Sequence, residues 1–152
     1  TQFARAIDNG EPLSFVMIDL DHFNGLNEEY GHDVGDEVIR AASEVFKELF
    51  DQEDIVARYG GDEFAALLPG TSAEEAQKRC EAVRDAVEKL SILRGLGGTI
   101  TKVTTSQGVA SHSEDGADKN SMWEVAARAG YEAKENGRNC VVLGGMVSSR
   151  NE

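Results

Sequence analysis

The sequence predicts an α+β domain in which helices cover a mostly antiparallel sheet, and three patterns predict it. Short apolar runs of strand length recur along the chain, stretches of helical period lie between them, and capping or turn residues mark the joins. Leu13-Ser14-Phe15-Val16-Met17-Ile18 is apolar enough for a strand buried on both faces. Asp33 or a neighbour caps a helix running to about Phe50, with Val38, Ala42, Val45, Phe46, Leu49 and Phe50 on one face. Ile55-Val56-Ala57 and Phe64-Ala65-Ala66-Leu67-Leu68 read as two buried strands joined by a tight hairpin. Ser72-Ala73-Glu74-Glu75 is a capping box, and Ala76, Cys80, Val83, Val87 and Leu90 carry its helix onward. Thr99 to Ala110, rich in β-branched residues, reads as one or two strands. Ser121-Met122-Trp123-Glu124 is a second capping box whose helix Gly137 should end. Asn139 to Leu143 makes a last short strand, and 144–152 reads as a frayed polar tail.

Composition narrows the class. With 152 residues and 40% hydrophobic content, the chain suffices for one domain with a sizeable core, placed at about residues 13–143. No apolar run approaches the roughly 18 residues of a membrane span, and no signal-peptide pattern opens the chain, so a cytoplasmic domain without membrane contact is expected. A net charge of −13 argues against polymeric nucleic acid as a partner. It does not exclude a nucleotide, whose phosphates a bound metal and a few local cations can meet. Cys80 and Cys140 lack metal-site spacing and sit in apolar contexts, so both are expected as buried free thiols. Trp123 and Tyr131 are read as core, and His32 as a local hydrogen-bonder.

The candidate chemistry gathers at two places. In Arg58-Tyr59-Gly60-Gly61-Asp62-Glu63-Phe64 the glycine pair is expected to supply the positive φ of a primed hairpin turn, which would hold Asp62 and Glu63 rigidly at its tip. Such a tip is also what an ordinary solvated turn looks like. Asp19-Leu20-Asp21 follows the first strand, and acids at i and i+2 share a face there. Carboxylates held against one another at a strand end form a cage for a hard divalent cation, which prefers oxygen ligands. A helix-loop-helix calcium site is rejected by the positions that follow: counting from Asp19, Asn24 stands where Gly is needed and Tyr30 where a bidentate Glu is required.

Taken in order, Met17-Ile18-Asp19-Leu20-Asp21-His22-Phe23 with Asn27, Tyr30-Gly31-His32-Asp33-Val34-Gly35-Asp36, Arg58 to Phe64, and Ala133-Lys134-Glu135-Asn136-Gly137-Arg138-Asn139 resemble the GGDEF family of diguanylate cyclases. The resemblance implies a ferredoxin-like, nucleotidyl-cyclase-like core. It implies condensation of two GTP into cyclic di-GMP with release of pyrophosphate, using two Mg²⁺ or Mn²⁺ ions per active site. Asp19, Asp62 and the Leu20 carbonyl would be the metal ligands, and Glu63 would support the metals or the nucleophile. Asn27 and Asp36 match the guanine readers, Lys134 and Arg138 the triphosphate clamp, and His22 and Phe23 would lend backbone amides to the phosphates, beside Gly60 and Gly61. Apart from the resemblance, Asp36, Lys134 and Arg138 are ordinary helix-end charges that complement the dipole.

Each domain would hold one GTP, so a homodimer would form during catalysis, brought together by a sensor upstream in a longer protein. Several residues depart from the family pattern: Asn24 stands for a Lys, Glu28 for an Asp, Gln107 for an apolar residue and Ala127 for an Asp. These keep a second function open, a catalytically weak GGDEF domain that binds GTP or cyclic di-GMP as a regulatory module. At the family's inhibitory Arg-x-x-Asp position the chain reads Asp51-Gln52-Glu53-Asp54, so the Arg is replaced by an acid and no inhibitory site is expected.

Overall fold

The computed structural model describes residues 11–90, 102–112 and 119–144. Among them the element order is β1 (Leu13–Leu20), α1 (Phe23–Tyr30), α2 (His32–Leu49), β2 (Ile55–Arg58), β3 (Glu63–Pro69), α3 (Ala73–Glu88), β4 (Thr105–His112), α4 (Lys119–Glu135) and β5 (Cys140–Leu143). The strands form one sheet in the order β2-β3-β1-β4-β5. Every pairing is antiparallel except β4 with β5, which is parallel across the α4 crossover. The first four strands with α2 and α3 make the split β-α-β arrangement of a ferredoxin-like core, to which α4 and β5 are added. No described helix is long and apolar enough to cross a membrane.

β1 lies between β3 and β4 in the sheet and each of its faces packs into a core, so its apolar run is nearly unbroken. Val16, Ile18 and Leu20 enter one core with Val38, Ala42 and Phe46 of α2 and Ala76, Cys80 and Val83 of α3. Leu13 and Met17 enter a second core with Ala110 and with Met122 and Ala126 of α4. The Ser72 cap is as the sequence predicts: the Glu75 amide donates to Ser72 Oγ, and the Ser72 amide to Glu75 Oε1. At the end of α4 the Arg138 amide donates to the Ala133 carbonyl and the Gly137 amide to the Lys134 carbonyl, which is a Schellman closure with Gly137 at φ 109°.

One close approach sets the position of α4. A Cβ on Gly108 of β4 would lie 2.2 Å from the Ala126 carbonyl oxygen and from the Gly130 amide nitrogen. The missing side chain lets helix backbone lie directly on strand backbone, and this fixes where the Lys134 end of α4 emerges over the sheet.

Several expectations are corrected. β2 is an edge strand with Ile55 half exposed, since an apolar run does not reveal its place in the sheet. Among the described residues α4 runs from Lys119, so Ser121 stands inside the helix and not at its start. α1 was not anticipated; its eight residues include only Phe23 and Leu26 as buried apolar positions, too few for a clear helical period. The strand expected from Thr99 begins at Thr105, with Thr99 to Thr101 outside the described residues. Trp123 and Tyr131 are exposed, not core. Cys80 is buried, but Cys140 only partly so. Gly144 belongs to the packed sheet end, its amide donating to the Val109 carbonyl; the tail expected beyond it lies outside the described residues.

Candidate active site

The site is built where β1 ends beside the β2-β3 turn. Asp19 and Glu63 are directly opposed in the β1-β3 register, a like-charge cross-strand pair that costs stability. The Leu20 amide donates to the Asp62 carbonyl at 3.0 Å, extending the ladder to the tip and bringing Asp62 alongside. Burial pushes the Asp19 carboxyl above its ordinary value; Lys134 opposes the rise, and the charges of Asp62 and Glu63 add to it. Tyr59, half exposed at the turn, is pushed up to about 12 by burial and by the same three acids.

The turn is held by contacts other than the one expected. Neither Gly60 nor Gly61 has a positive φ, so this is not a primed turn. Instead, a Cβ on Gly60 would meet Glu63 Oε1 at 2.7 Å, and the glycine makes room for that carboxylate. Arg58 then clamps the loop, its Nε donating to the Gly60 carbonyl at 3.1 Å and its Nη2 to the Gly61 carbonyl at 2.8 Å. The Tyr59 amide closes on the Glu63 carbonyl at 3.0 Å.

Lys134, in the last turn of α4, is ion-paired with Asp19. Arg138 lies beyond the helix end at φ 67°, with its Nη1 3.8 Å from Asp21 Oδ1. Both clamp candidates therefore reach the acidic strand end. Asp21, read as a companion of Asp19, is committed elsewhere. It accepts from Thr104 Oγ1 at 2.7 Å, Ser106 Oγ at 2.6 Å and the Asn139 amide at 3.1 Å, and its side chain is 1% exposed.

His22 caps the N-terminus of α1 in the left-handed region, φ 58°, without a side-chain hydrogen bond to the helix. The first amides of α1 would be the donors for a phosphate there. Asn27 packs against Gly35 so closely that a Cβ there would lie 1.8 Å from Asn27 Oδ1, a buried oxygen with no partner in the structure. Asp36, the next residue along α2, is exposed. Asn24 is exposed on α1, and Gln107 is buried with its amide donating to the Cys80 carbonyl of α3, across the sheet from Lys134.

Among the described residues no three Asp, Glu, His or Cys side chains form a ready metal cluster. Asp19, Asp62 and the Leu20 carbonyl are the oxygens that would hold a hard divalent cation, and Lys134 is paired with Asp19.

A ferredoxin-like sheet with crowded carboxylates at one strand end and cations arriving from a crossing helix defines the class of this domain. The profile of the family "Diguanylate cyclase, GGDEF domain" matches residues 1–140. "Diguanylate cyclase A" of Treponema denticola is 42% identical over 133 residues, covering 88% of this chain and 35% of the relative. Diguanylate cyclase VdcA of Vibrio cholerae is 39% identical over 140 residues, covering 90% of this chain and 40% of the relative. The fold matches the active GGEEF domain of a Vibrio cholerae diguanylate cyclase, with TM-score 0.86, 30% identity, and 94% and 89% of the two chains covered. It also matches the GGDEF domain of DgcB from Caulobacter crescentus, solved with c-di-GMP, with TM-score 0.86, 31% identity, and 94% and 84% covered. The chain belongs to the GGDEF diguanylate cyclase domain family. It spans well under half the length of these two curated relatives.

Proposed function

We propose that this domain is a diguanylate cyclase that condenses two GTP into cyclic di-GMP and two pyrophosphates. The observation that carries the reading is the opposed pair Asp19 and Glu63, with Asp62 alongside and Lys134 in contact, a costly arrangement that pure stability would not retain. In each half-reaction the 3′-hydroxyl oxygen of one GTP bonds to the α-phosphorus of the other as the bond to the pyrophosphate oxygen breaks. Such a transfer needs in-line positioning and charge neutralisation more than covalent catalysis. Asp19, Asp62 and the Leu20 carbonyl would hold the divalent ions, Mg²⁺ or Mn²⁺. When bound, these supply an acidified hydroxyl and neutralised phosphate oxygens. Glu63 would take the hydroxyl proton or support the ligands. Lys134 and Arg138 grip the β- and γ-phosphates, and the amides at His22 and Phe23 complete that cradle. Asn27 and Asp36 read guanine, the Asp36 carboxylate accepting from N1 and N2.

Each domain holds one GTP, so two copies face each other during catalysis, brought together by a sensory segment of a longer protein. Incubating the purified chain with GTP and Mg²⁺ at high protein concentration should yield cyclic di-GMP by mass, with a rate that rises more than linearly with enzyme concentration. GTP should bind at least about 100-fold more tightly than ATP by calorimetry, because a site built to pair polar groups rejects the mismatched base. Absence of cyclic product despite firm GTP binding would turn the reading to a regulatory module.

A further inference from the structure

We propose that Asp21 is a positioning residue whose carboxylate latches the turn Gly137-Arg138-Asn139 and thereby aims Arg138 into the site. For what Arg138 grips, this rests on the nucleotide reading above. The turn is unusual: three consecutive residues have positive φ, at 109°, 67° and 51°, and two of them carry side chains. L-residues rarely adopt this conformation unless their surroundings impose it.

The surroundings here are specific. Asp21 Oδ2 takes the Asn139 amide and the Thr104 hydroxyl, while Oδ1 takes the Ser106 hydroxyl. The Asp21 amide donates in turn to the Thr104 carbonyl at 2.9 Å, so the acceptor is itself fixed to the start of β4. From the other side, Arg84 Nη1 donates to Asn139 Oδ1 at 3.1 Å, and Asn139 Nδ2 donates to Glu88 Oε2 at 3.3 Å. The turn is thus pinned between the sheet and α3. Asp21 is a buried carboxylate without a close ion pair, since Arg138 approaches only to 3.8 Å and keeps a 38% exposed side chain. Three donors satisfy Asp21, and Arg138 retains donors for a ligand. Pre-fixing a clamp residue in this way removes the ordering cost of gripping phosphate.

The test is calorimetric binding of a non-hydrolysable GTP analogue with Mg²⁺ to wild type, D21A, D21N, R138A and the D21A/R138A double variant. D21A and R138A should each weaken binding about 10-fold, the size of one charge-assisted hydrogen bond. The double variant should be no weaker than R138A alone, because Asp21 acts through Arg138. D21N should stay close to wild type, since its Oδ1 can accept from Thr104 and Asn139 while Nδ2 donates to the Ser106 hydroxyl. Losses in D21A and R138A that multiply, or a D21N protein as weak as D21A, would overturn the proposal. Should D21A fail to fold, Thr104→Val removes one donor to the carboxylate and should cost about 3-fold, only when Arg138 is present; unchanged affinity would count against the latch. Hydrogen exchange by NMR reads the latch without nucleotide. The Asn139 amide should be protected in wild type and D21N, and exposed in D21A. A wild type that binds no nucleotide would defeat the functional reading, whereas an Asn139 amide unprotected in wild type would defeat the latch.

Discussion

The molecule carries two groups of acids, and their neutralisation differs. At the strand end, Asp19, Asp62 and Glu63 crowd together, and Lys134, paired with Asp19, is the cation that answers them. In the loop between α2 and β2, Asp51 and Asp54 share Arg79, whose Nη1 lies 2.8 Å from Asp54 and Nη2 3.4 Å from Asp51. The Asp51 amide also donates to Asp54 Oδ2 at 2.7 Å, and the Asp54 amide to the Asp51 carbonyl at 3.0 Å. The second group closes on itself and joins α3 to the loop. The first is left short of positive charge, with Lys134 set against three acids. The contrast teaches that an acidic cluster is read by its remaining deficit of donors, not by its number of carboxylates.

The largest effect should come from removing that deficit. Asp19→Asn or Asp62→Asn should lower turnover by at least about 100-fold, measured as cyclic di-GMP formed per enzyme. Asp19→Asn should at the same time stabilise the fold. The Asp19 carboxyl is raised from 3.8 in the folded state, so folding favours its protonated form. Stability from that proton is complete below the unfolded value and is lost as pH rises through the folded one. Wild type and Asp19→Asn should therefore melt together in acid and diverge toward neutral pH, with the variant melting higher. A variant that melts lower at neutral pH would show that the Lys134 pair outweighs burial and like-charge repulsion.

Arg79→Ala sharpens the other side of the comparison. It leaves Asp54, whose side chain is 2% exposed, with a backbone amide as its remaining partner, and should cost about 1–3 kcal/mol in a denaturant titration. Burial already raises the Asp54 carboxyl, and losing Arg79 raises it further, so the cost should shrink as pH falls and the group protonates. Turnover per folded molecule should hardly change. Because Arg79 is engaged and Asp51 stands where an Arg was expected, cyclic di-GMP should show no tight noncompetitive inhibition through this loop. Inhibition abolished by Asp54→Ala would contradict that reading.

What was legible in the sequence was mostly local. The Ser72 capping box, the Gly137 helix stop and the placement of Asp19 at a strand end each depend on residues a few positions apart. The candidate metal and phosphate residues were found by motif; the fold brings Asp19, Asp62, Glu63 and Lys134 near one another, a juxtaposition the motif itself does not state. What escaped depends on distant partners. Asp21 is satisfied by residues 83, 85 and 118 positions away, so spacing alone paired it with Asp19. Gly60 was read for its own φ, yet it serves to admit Glu63. Trp123 was assigned to the core on hydrophobicity, whereas it packs at the surface with ring centroids 5.5 Å from Phe15 and from Tyr59. Arg58 as a clamp on the turn carbonyls had a signal in its place just before the two glycines, but its target was not deducible from one sequence.

The smallest expected effect concerns Gln107, where the core tolerates a polar group with a shortfall of its own. Its Nε2 donates to the Cys80 carbonyl at 3.1 Å and to Thr105 Oγ1 at 2.9 Å, while its fully buried Oε1 has no partner in the structure. This deficit differs from that at Asp19 because it lies on the α3 side of the sheet. An unsatisfied buried acceptor costs about 1–3 kcal/mol, and part of that is returned by the two bonds the amide donates. Gln107→Leu, close in volume, removes both the orphan oxygen and those bonds. It should stabilise the domain by about 1 kcal/mol, read as a higher denaturant midpoint with an unchanged slope. Since Gln107 lies across the sheet from Lys134, turnover should not follow the gain in stability. A Gln107→Leu protein that is less stable than wild type would mean that the amide's two bonds outweigh the orphan oxygen, and a loss of activity would tie this core position to the strand-end site after all.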